Sequence, residues 1–140
     1  MRAAGAQQAP PWQVVSAWLL AFVLFTTGLG KALDVVGFAR VLTTFRIFPE
    51  GSEIPLAVAI TLLELALAVA LLRPGWRRLA ATAALLLFIG NAAVLTLTLL
   101  RGIALENCGC FGVFLARPLR PWTPLEDVAL ALLSLAARGR

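Results

Sequence analysis

Three long apolar runs dominate this chain of 140 residues and constrain what it can fold into. They cover residues 14–31, 54–72 and 79–100, and 17 of the 19 charged side chains lie outside them. An α-helix needs about 20 predominantly apolar residues, at ~1.5 Å per residue, to cross the hydrocarbon core of a bilayer. We therefore expect each run to form a transmembrane helix.

The composition excludes a small soluble domain. Apolar residues make up 61% of the chain and charged residues 14%, whereas a soluble domain carries roughly 25% charged residues. The net charge is +5, but the basic residues lie at the ends of the apolar runs instead of forming one stripe. This pattern is typical of membrane boundaries and argues against a nucleic-acid partner.

A fourth, shorter helix is predicted over residues 124–137. Thr123 and Glu126 have the spacing of a capping box, and Pro124 suits the first position of a helix. A helix of this length reaches only ~21 Å, so it crosses where the bilayer thins or its ends snorkel. We predict an all-α fold: an integral membrane four-helix bundle that forms a single transmembrane domain over residues 1–140.

The connection between the first two spans, residues 32–53, carries its own helical pattern. Apolar side chains recur there at helical spacing, with Arg40 and Arg46 between them: Phe38, Val41, Leu42, Phe45 and Phe48. This predicts a short amphipathic helix that lies at the membrane interface and is ended by Pro49.

Basic residues do not settle the orientation by number, because six fall on each side of the predicted bundle. Three of them crowd the turn at residues 73–78, and a close cysteine pair is most useful as a disulfide outside the cytosol. We therefore expect both termini in the cytoplasm and both long connections on the outer face.

Two polar residues interrupt the predicted spans at matching depth. In an up-and-down bundle, Glu64 and Asn91 both lie ~13 Å below the face that carries the cysteines. An ionisable group at this depth costs ~2.5–3.5 kcal/mol and by default marks a relay or pathway. The alternative is a structural hydrogen bond that joins the second and third spans, for example between these two side chains. Both interpretations stay open for Glu64, and the structural one is favoured for Asn91.

The segment Cys108-Gly109-Cys110 holds the only two cysteines, and the chain has no histidine. Two thiols are too few for a zinc or iron–sulfur site, so no metal is expected. A bridge between them closes almost no loop, so it would stabilise the fold little as a staple, and strained bridges tend to be labile or catalytic. We interpret the pair as redox-active.

Charged groups on the face of the bundle that carries the cysteines would shift the pKa values of these thiols. Lys31 and Arg101 are boundary anchors unless the cysteines lie close, in which case they would lower a thiol pKa. Glu106 would oppose that effect or move protons.

The segment at residues 106–112, Glu-Asn-Cys-Gly-Cys-Phe-Gly, resembles the CGCFG signature of the MauE methylamine-utilisation family, within the broader DoxX-like membrane proteins. Residues 27–34, 45–49 and 63–65 resemble other blocks of that family, so the resemblance covers nearly the whole chain. Ala68 departs from it, where a glycine is expected.

The resemblance implies a four-helix protein of the bacterial inner membrane that handles disulfides beside a periplasmic thioredoxin-like partner. The family's named case supports maturation of methylamine dehydrogenase. On this match Cys108 and Cys110 carry over as redox residues, whereas Glu64 and Lys31 carry over as positions without an assigned role.

The leading hypothesis is a membrane thiol–disulfide oxidoreductase that exchanges electrons with a periplasmic thioredoxin-like or client protein and with a quinone. The residues expected to act in the chemistry are Cys108, Cys110, Glu64 and Lys31, and those expected to contact the quinone are Asn91, Arg101 and Phe111. The alternative is a non-catalytic membrane scaffold that docks a redox or dehydrogenase-maturation partner. A small transporter ranks last, because the sequence has neither a broken helix nor a repeat.

Overall fold

A computed structural model describes residues 8–139, and within that range the chain is helical with no strand. The helices are α1 (Pro11–Ala32), α2 (Val35–Thr44), α3 (Glu53–Leu72), α4 (Arg77–Leu100) and α5 (Thr123–Arg138). The all-α prediction is confirmed. Residues 1–7 and 140 of the predicted domain lie outside the described part.

Three of the helices, α1, α3 and α4, are long and apolar enough to cross a membrane. Each begins up to three residues before its predicted start; α1 does so because Pro11 takes a first-turn position, where proline is well tolerated. The 16 residues of α5 span ~24 Å. That α5 also crosses, and that the chain forms one transmembrane domain, stay predictions.

The end of the bundle nearest the chain termini is a dry core of small and aliphatic side chains. Helices α1, α3, α4 and α5 all contribute to it, with buried alanines between leucines: Ala17, Leu20, Leu24, Leu71, Ala81, Ala84 and Ala137. Small residues let helix backbones approach closely, which is how helices associate without a hydrophobic driving force.

The predicted amphipathic helix is confirmed as α2. Its first turn is capped by Asp34, whose Oδ1 accepts a hydrogen bond of 2.7 Å from the backbone N–H of Gly37. Phe38 and Leu42 are buried, and α2 packs on α3. The helix ends at Thr44, before the predicted stop at Pro49, because Arg46 adopts a left-handed backbone conformation with φ of 54°.

The predicted capping box at the start of α5 is wrong. Thr123 lies inside the helix and its Oγ1 accepts a hydrogen bond of 3.0 Å from the N–H of Arg120. Glu126 instead accepts two hydrogen bonds, of 2.9 and 2.7 Å, from the guanidinium of Arg117. The loop brings Arg117 over α5, and a bidentate charged pair is a stronger partner for the carboxylate than a neutral backbone N–H.

Candidate functional site

The loop between α4 and α5 lies directly on the last turns of α1. A Cβ at Gly30 would collide with the carbonyl of Phe111, and a Cβ at Gly112 would collide with the carbonyl of Gly30. Gly112 also has a φ of +74°, which favours glycine. These two glycines allow the backbones to touch and so place the cysteine segment beside Lys31.

Asn107 folds the cysteine segment into a tight turn. Its Oδ1 accepts a hydrogen bond of 2.8 Å from the N–H of Gly109, and its Nδ2 donates one of 3.1 Å to the carbonyl of Gly112. Gly109 has a φ of +77° and packs against Phe38 of α2. Asn107 is not among the residues predicted for the site, although an asparagine shortly before a glycine is a known turn signal.

The two thiols are free and adjacent. Their Sγ atoms lie 3.1 Å apart, with Cys108 buried and Cys110 partly exposed. The hydrogen bond between the sulfurs lowers the pKa of Cys108 to about 6, against the opposing effect of burial and with help from the charge of Arg117. The same bond raises the pKa of Cys110. The pair therefore shares one proton and carries one negative charge at neutral pH.

Lys31 and Glu64 form a buried ion pair between α1 and α3. The Lys31 Nζ lies 2.7 and 2.9 Å from the two carboxylate oxygens, and the two side chains are 5% and 3% exposed. The Nζ also lies 5.3 Å from the centre of the Phe38 ring. The alternative prediction that Glu64 hydrogen-bonds Asn91 is wrong, because an ammonium neutralises the buried carboxylate and an amide does not.

A partly open cavity of about 80 Å³ joins the thiols to the ion pair. Five of the predicted site residues line it: Lys31, Glu64, Asn91, Cys108 and Cys110. The rest of its wall is mostly apolar, with Phe38, Phe45 and Phe48 supplied by α2 and the segment that follows it. The arrangement places a thiolate, an ammonium, a carboxylate and an amide around one small aromatic-walled space.

The other two predicted site residues do not line this cavity. The Arg101 guanidinium donates hydrogen bonds of 3.2 and 3.0 Å to the carbonyls of Phe45 and Arg46, and so ties the end of α4 to the segment after α2. Phe111 lies on the α1 side of the loop, in a separate apolar groove with Phe22. Arg101 thus acts on the cavity through Phe45, one of its lining residues.

Two charged residues near the thiols were missed by the sequence analysis. Arg117, and not the predicted Arg101, is the cation that lowers the pKa of Cys108, because the loop folds back through a hydrogen bond of 2.8 Å from the Cys108 N–H to the Arg117 carbonyl. Asp127 on α5 is 7% exposed, and neither ion pair found among residues 8–139 includes it. Its negative charge raises the pKa of Cys110.

Within residues 8–139, no group of three or more histidine, cysteine, aspartate or glutamate side chains has an arrangement that could hold a metal ion. The titratable groups whose charges shift the pKa values of the two thiols are Lys31, Arg117 and Asp127. The arrangement can hold a thiolate and exchange protons.

Comparison with known proteins shows the family of this chain. A family model described as "Methylamine utilisation protein MauE" matches residues 11–138. The Methylamine utilization protein MauE of Paracoccus denitrificans is 32% identical over 117 residues, which cover 84% of this chain and 63% of that relative. The chain thus spans somewhat less than two thirds of the relative's length. No solved structure matches significantly. Since the family model covers nearly the whole chain, including both cysteines and both members of the buried ion pair, this membrane protein belongs to the MauE family.

Proposed function

We propose that this chain is a membrane thiol–disulfide redox protein whose Cys108/Cys110 pair exchanges disulfides with a periplasmic thioredoxin-like protein or another disulfide-containing client. The observation that carries the proposal is the adjacency of two free thiols, 3.1 Å apart, on the wall of a cavity that also contains a buried ion pair. A pair that closes almost no loop contributes little as a staple, so the adjacency is best explained by redox exchange.

The two cysteines have different roles in this proposal. In the oxidised pair, a client thiolate attacks the more exposed Cys110 sulfur, the Cys108–Cys110 bond breaks and Cys108 leaves as a thiolate. The lowered pKa of Cys108 favours this step, because a thiol of lower pKa leaves faster. The client's second thiol then attacks the mixed disulfide, so the client leaves oxidised and the pair holds two electrons. The reverse sequence reduces a client, and the relative potentials decide the direction.

A lipid-soluble quinone is the partner that we propose for the cavity. A quinone bound there would take up two electrons and the one shared proton from the thiol pair, together with a second proton from water, and leave as a quinol. The aromatic wall suits a ring, and both Lys31 and Asn91 supply hydrogen-bond donors for a carbonyl oxygen. Arg101 holds Phe45 in that wall.

The buried ion pair would compensate the negative charge that forms on the thiol pair during the exchange and would take part in moving a proton. Lys31 lines the same cavity as both cysteines, so its ammonium stabilises negative charge on the thiol pair. Glu64 keeps the ammonium in place through two hydrogen bonds. The Glu64 carboxylate is the buried group of the cavity that can carry the second proton on its way from water to the quinone.

We place the cysteine loop on the periplasmic side of the bacterial inner membrane, with both termini in the cytoplasm. The three arginines in the turn between α3 and α4 support this orientation: Arg73, Arg77 and Arg78. The relative is named for methylamine utilization. The thiol chemistry proposed here does not depend on that process being the one this chain serves.

Thiol trapping in native membranes tests the proposal. The pair is quenched with acid, labelled with a thiol-reactive polymer and scored on a gel as reduced or oxidised after exposure to a reduced or oxidised thioredoxin-like protein. A quinone analogue is added in a parallel sample. We expect the pair to change state with the partner and to reoxidise faster with the quinone analogue. A pair that stays in one state under all conditions would refute the proposal.

The scaffold alternative is separated by a Cys108→Ser/Cys110→Ser variant. If the pair only shapes the loop, this variant supports client maturation as well as the parent chain does. Under the redox proposal, the variant inserts into the membrane normally and fails to support client maturation.

A further inference from the structure

A second apolar surface lies on the opposite side of the cysteine loop from the thiol cavity. It is a groove between α1 and the loop, to which α1 contributes Phe22 and Leu29, the residue after α1 contributes Leu33, and the loop contributes Phe111, Phe114 and Leu115. The proposed redox function does not use this groove.

The bulky side chains of the groove are open to the surroundings. Phe114 is 66% exposed and Leu115 is 65% exposed, in a connection that the helical pattern alone would place in water. Phe22 of α1 is 67% exposed in the same groove. Contiguous exposed apolar surface of this kind marks a contact with another protein or with the membrane.

The position of the groove along α1 indicates a contact with the membrane. Phe22 and Leu33 lie ~16 Å apart along the helix axis, at ~1.5 Å per residue, and Leu33 directly follows the end of α1. Half of a bilayer core is ~15 Å thick. The groove therefore runs from about the middle of the bilayer to its surface, on a helix that is long and apolar enough to cross a membrane.

The loop packs closely against this helix face. The backbones of Gly30 and Gly112 are in contact there, and two hydrogen bonds of Asn107 hold the turn that precedes Phe114. Phe114 and Leu115 thus continue the lipid-facing surface of α1. Irregular backbone is tolerated at the boundary of the hydrocarbon and avoided at its centre, which places these residues at the level of the headgroups and upper acyl chains.

We propose that residues 111–115 are a membrane-inserted anchor, with phospholipid acyl chains in the groove between this segment and α1. Because the groove continues the exposed apolar face of α1, its occupant in this proposal is lipid. The anchor holds Cys108 and Cys110 at the membrane surface, so that a client must meet them there and not in the bulk aqueous phase.

Collision accessibility of spin labels tests the anchor. Phe114→Cys and Leu115→Cys are introduced singly into the Cys108→Ser/Cys110→Ser background, labelled with a nitroxide and reconstituted into phosphatidylcholine–phosphatidylglycerol vesicles. Glu106→Cys, an exposed position on the same loop, is the matched control. We expect the ratio of oxygen to nickel-chelate collisions to be several-fold higher at residues 114 and 115 than at residue 106.

Two results would overturn the anchor. Labels at residues 114 and 115 that are as accessible to the nickel chelate as residue 106 would place the segment in water. Labels shielded from both oxygen and nickel chelate would show that protein, such as a second copy of this chain, covers the groove. A Leu115→Trp variant that keeps both cysteines checks the background: its added fluorescence should be quenched by brominated lipids, and quenching no greater than in the parent chain would count against the anchor.

Discussion

Replacing Lys31 by methionine should destabilise the protein strongly, because it leaves the Glu64 carboxylate buried without its partner. The Lys31 ammonium makes two hydrogen bonds, of 2.7 and 2.9 Å, and the two side chains are 5% and 3% exposed. Removing one partner of a buried pair typically costs ~3–5 kcal/mol. At ~1.4 kcal/mol per tenfold, this is a change of roughly 100- to several-thousand-fold in the unfolding equilibrium.

A double-mutant cycle separates the interaction energy between Lys31 and Glu64 from the effect of losing either side chain alone. The free energy of unfolding is measured in mixed micelles for the Lys31→Met, Glu64→Gln and double variants, and the double variant should recover much of the stability lost by Lys31→Met. The exposed pair of Arg117 and Glu126, whose side chains are 42% and 44% exposed, is the matched control. Arg117→Met should cost only ~0–1 kcal/mol. Similar losses in both pairs, or a coupling energy near zero for Lys31 and Glu64, would refute the reasoning.

Three further predictions follow from the site. Alkylation of the Cys108/Cys110 pair should speed up as the pH rises through about 6, since below that pH the pair holds both protons, and in a Cys110→Ala variant, which lacks the S–H donor, the rise should move to higher pH. A rate that rises only near pH 8.5, as for a free thiol, would contradict the shared proton. Gly30→Ala should drive the loop off α1 and lower stability by ~1–3 kcal/mol, whereas Gly90→Ala, which meets open space, should be nearly neutral in thermal unfolding. Arg101→Met should loosen the segment after α2, seen as faster proteolysis there, and unchanged cleavage would contradict its role.

The long helices of this fold could be predicted from the sequence because an apolar run of about 20 residues is by itself a sufficient signal for a transmembrane helix. The run at residues 54–72 is interrupted only by Glu64, and no soluble arrangement could cover so much apolar surface. The periodicity between Phe38 and Phe48 likewise indicated α2. The start of α5 was harder, because Glu126 had two available partners and the loop placed Arg117 within its reach.

The site could be predicted in outline but not in its contacts. That Lys31, Glu64 and the cysteines share one end of the bundle follows from chain direction alone. That Lys31 reaches Glu64 depends on how α1 packs on α3, which the spacing of single residues does not encode. Asp127 was missed because one acid at the start of a short helix is usually read as favouring the helix dipole.

Capture of a client by a single cysteine tests the central claim most directly. In native membranes, a Cys108→Ser variant leaves the more exposed Cys110 able to attack a client disulfide and form a mixed disulfide that Cys108 can no longer resolve, whereas a Cys110→Ser variant leaves only the buried Cys108. We predict a reductant-sensitive, higher-mass adduct with an oxidised, disulfide-containing client in the Cys108→Ser variant, a much weaker one in Cys110→Ser and none in the double variant. Absence of any adduct from the Cys108→Ser variant, or equal adducts from both single variants, would contradict the assignment of Cys110 as the sulfur that meets the client.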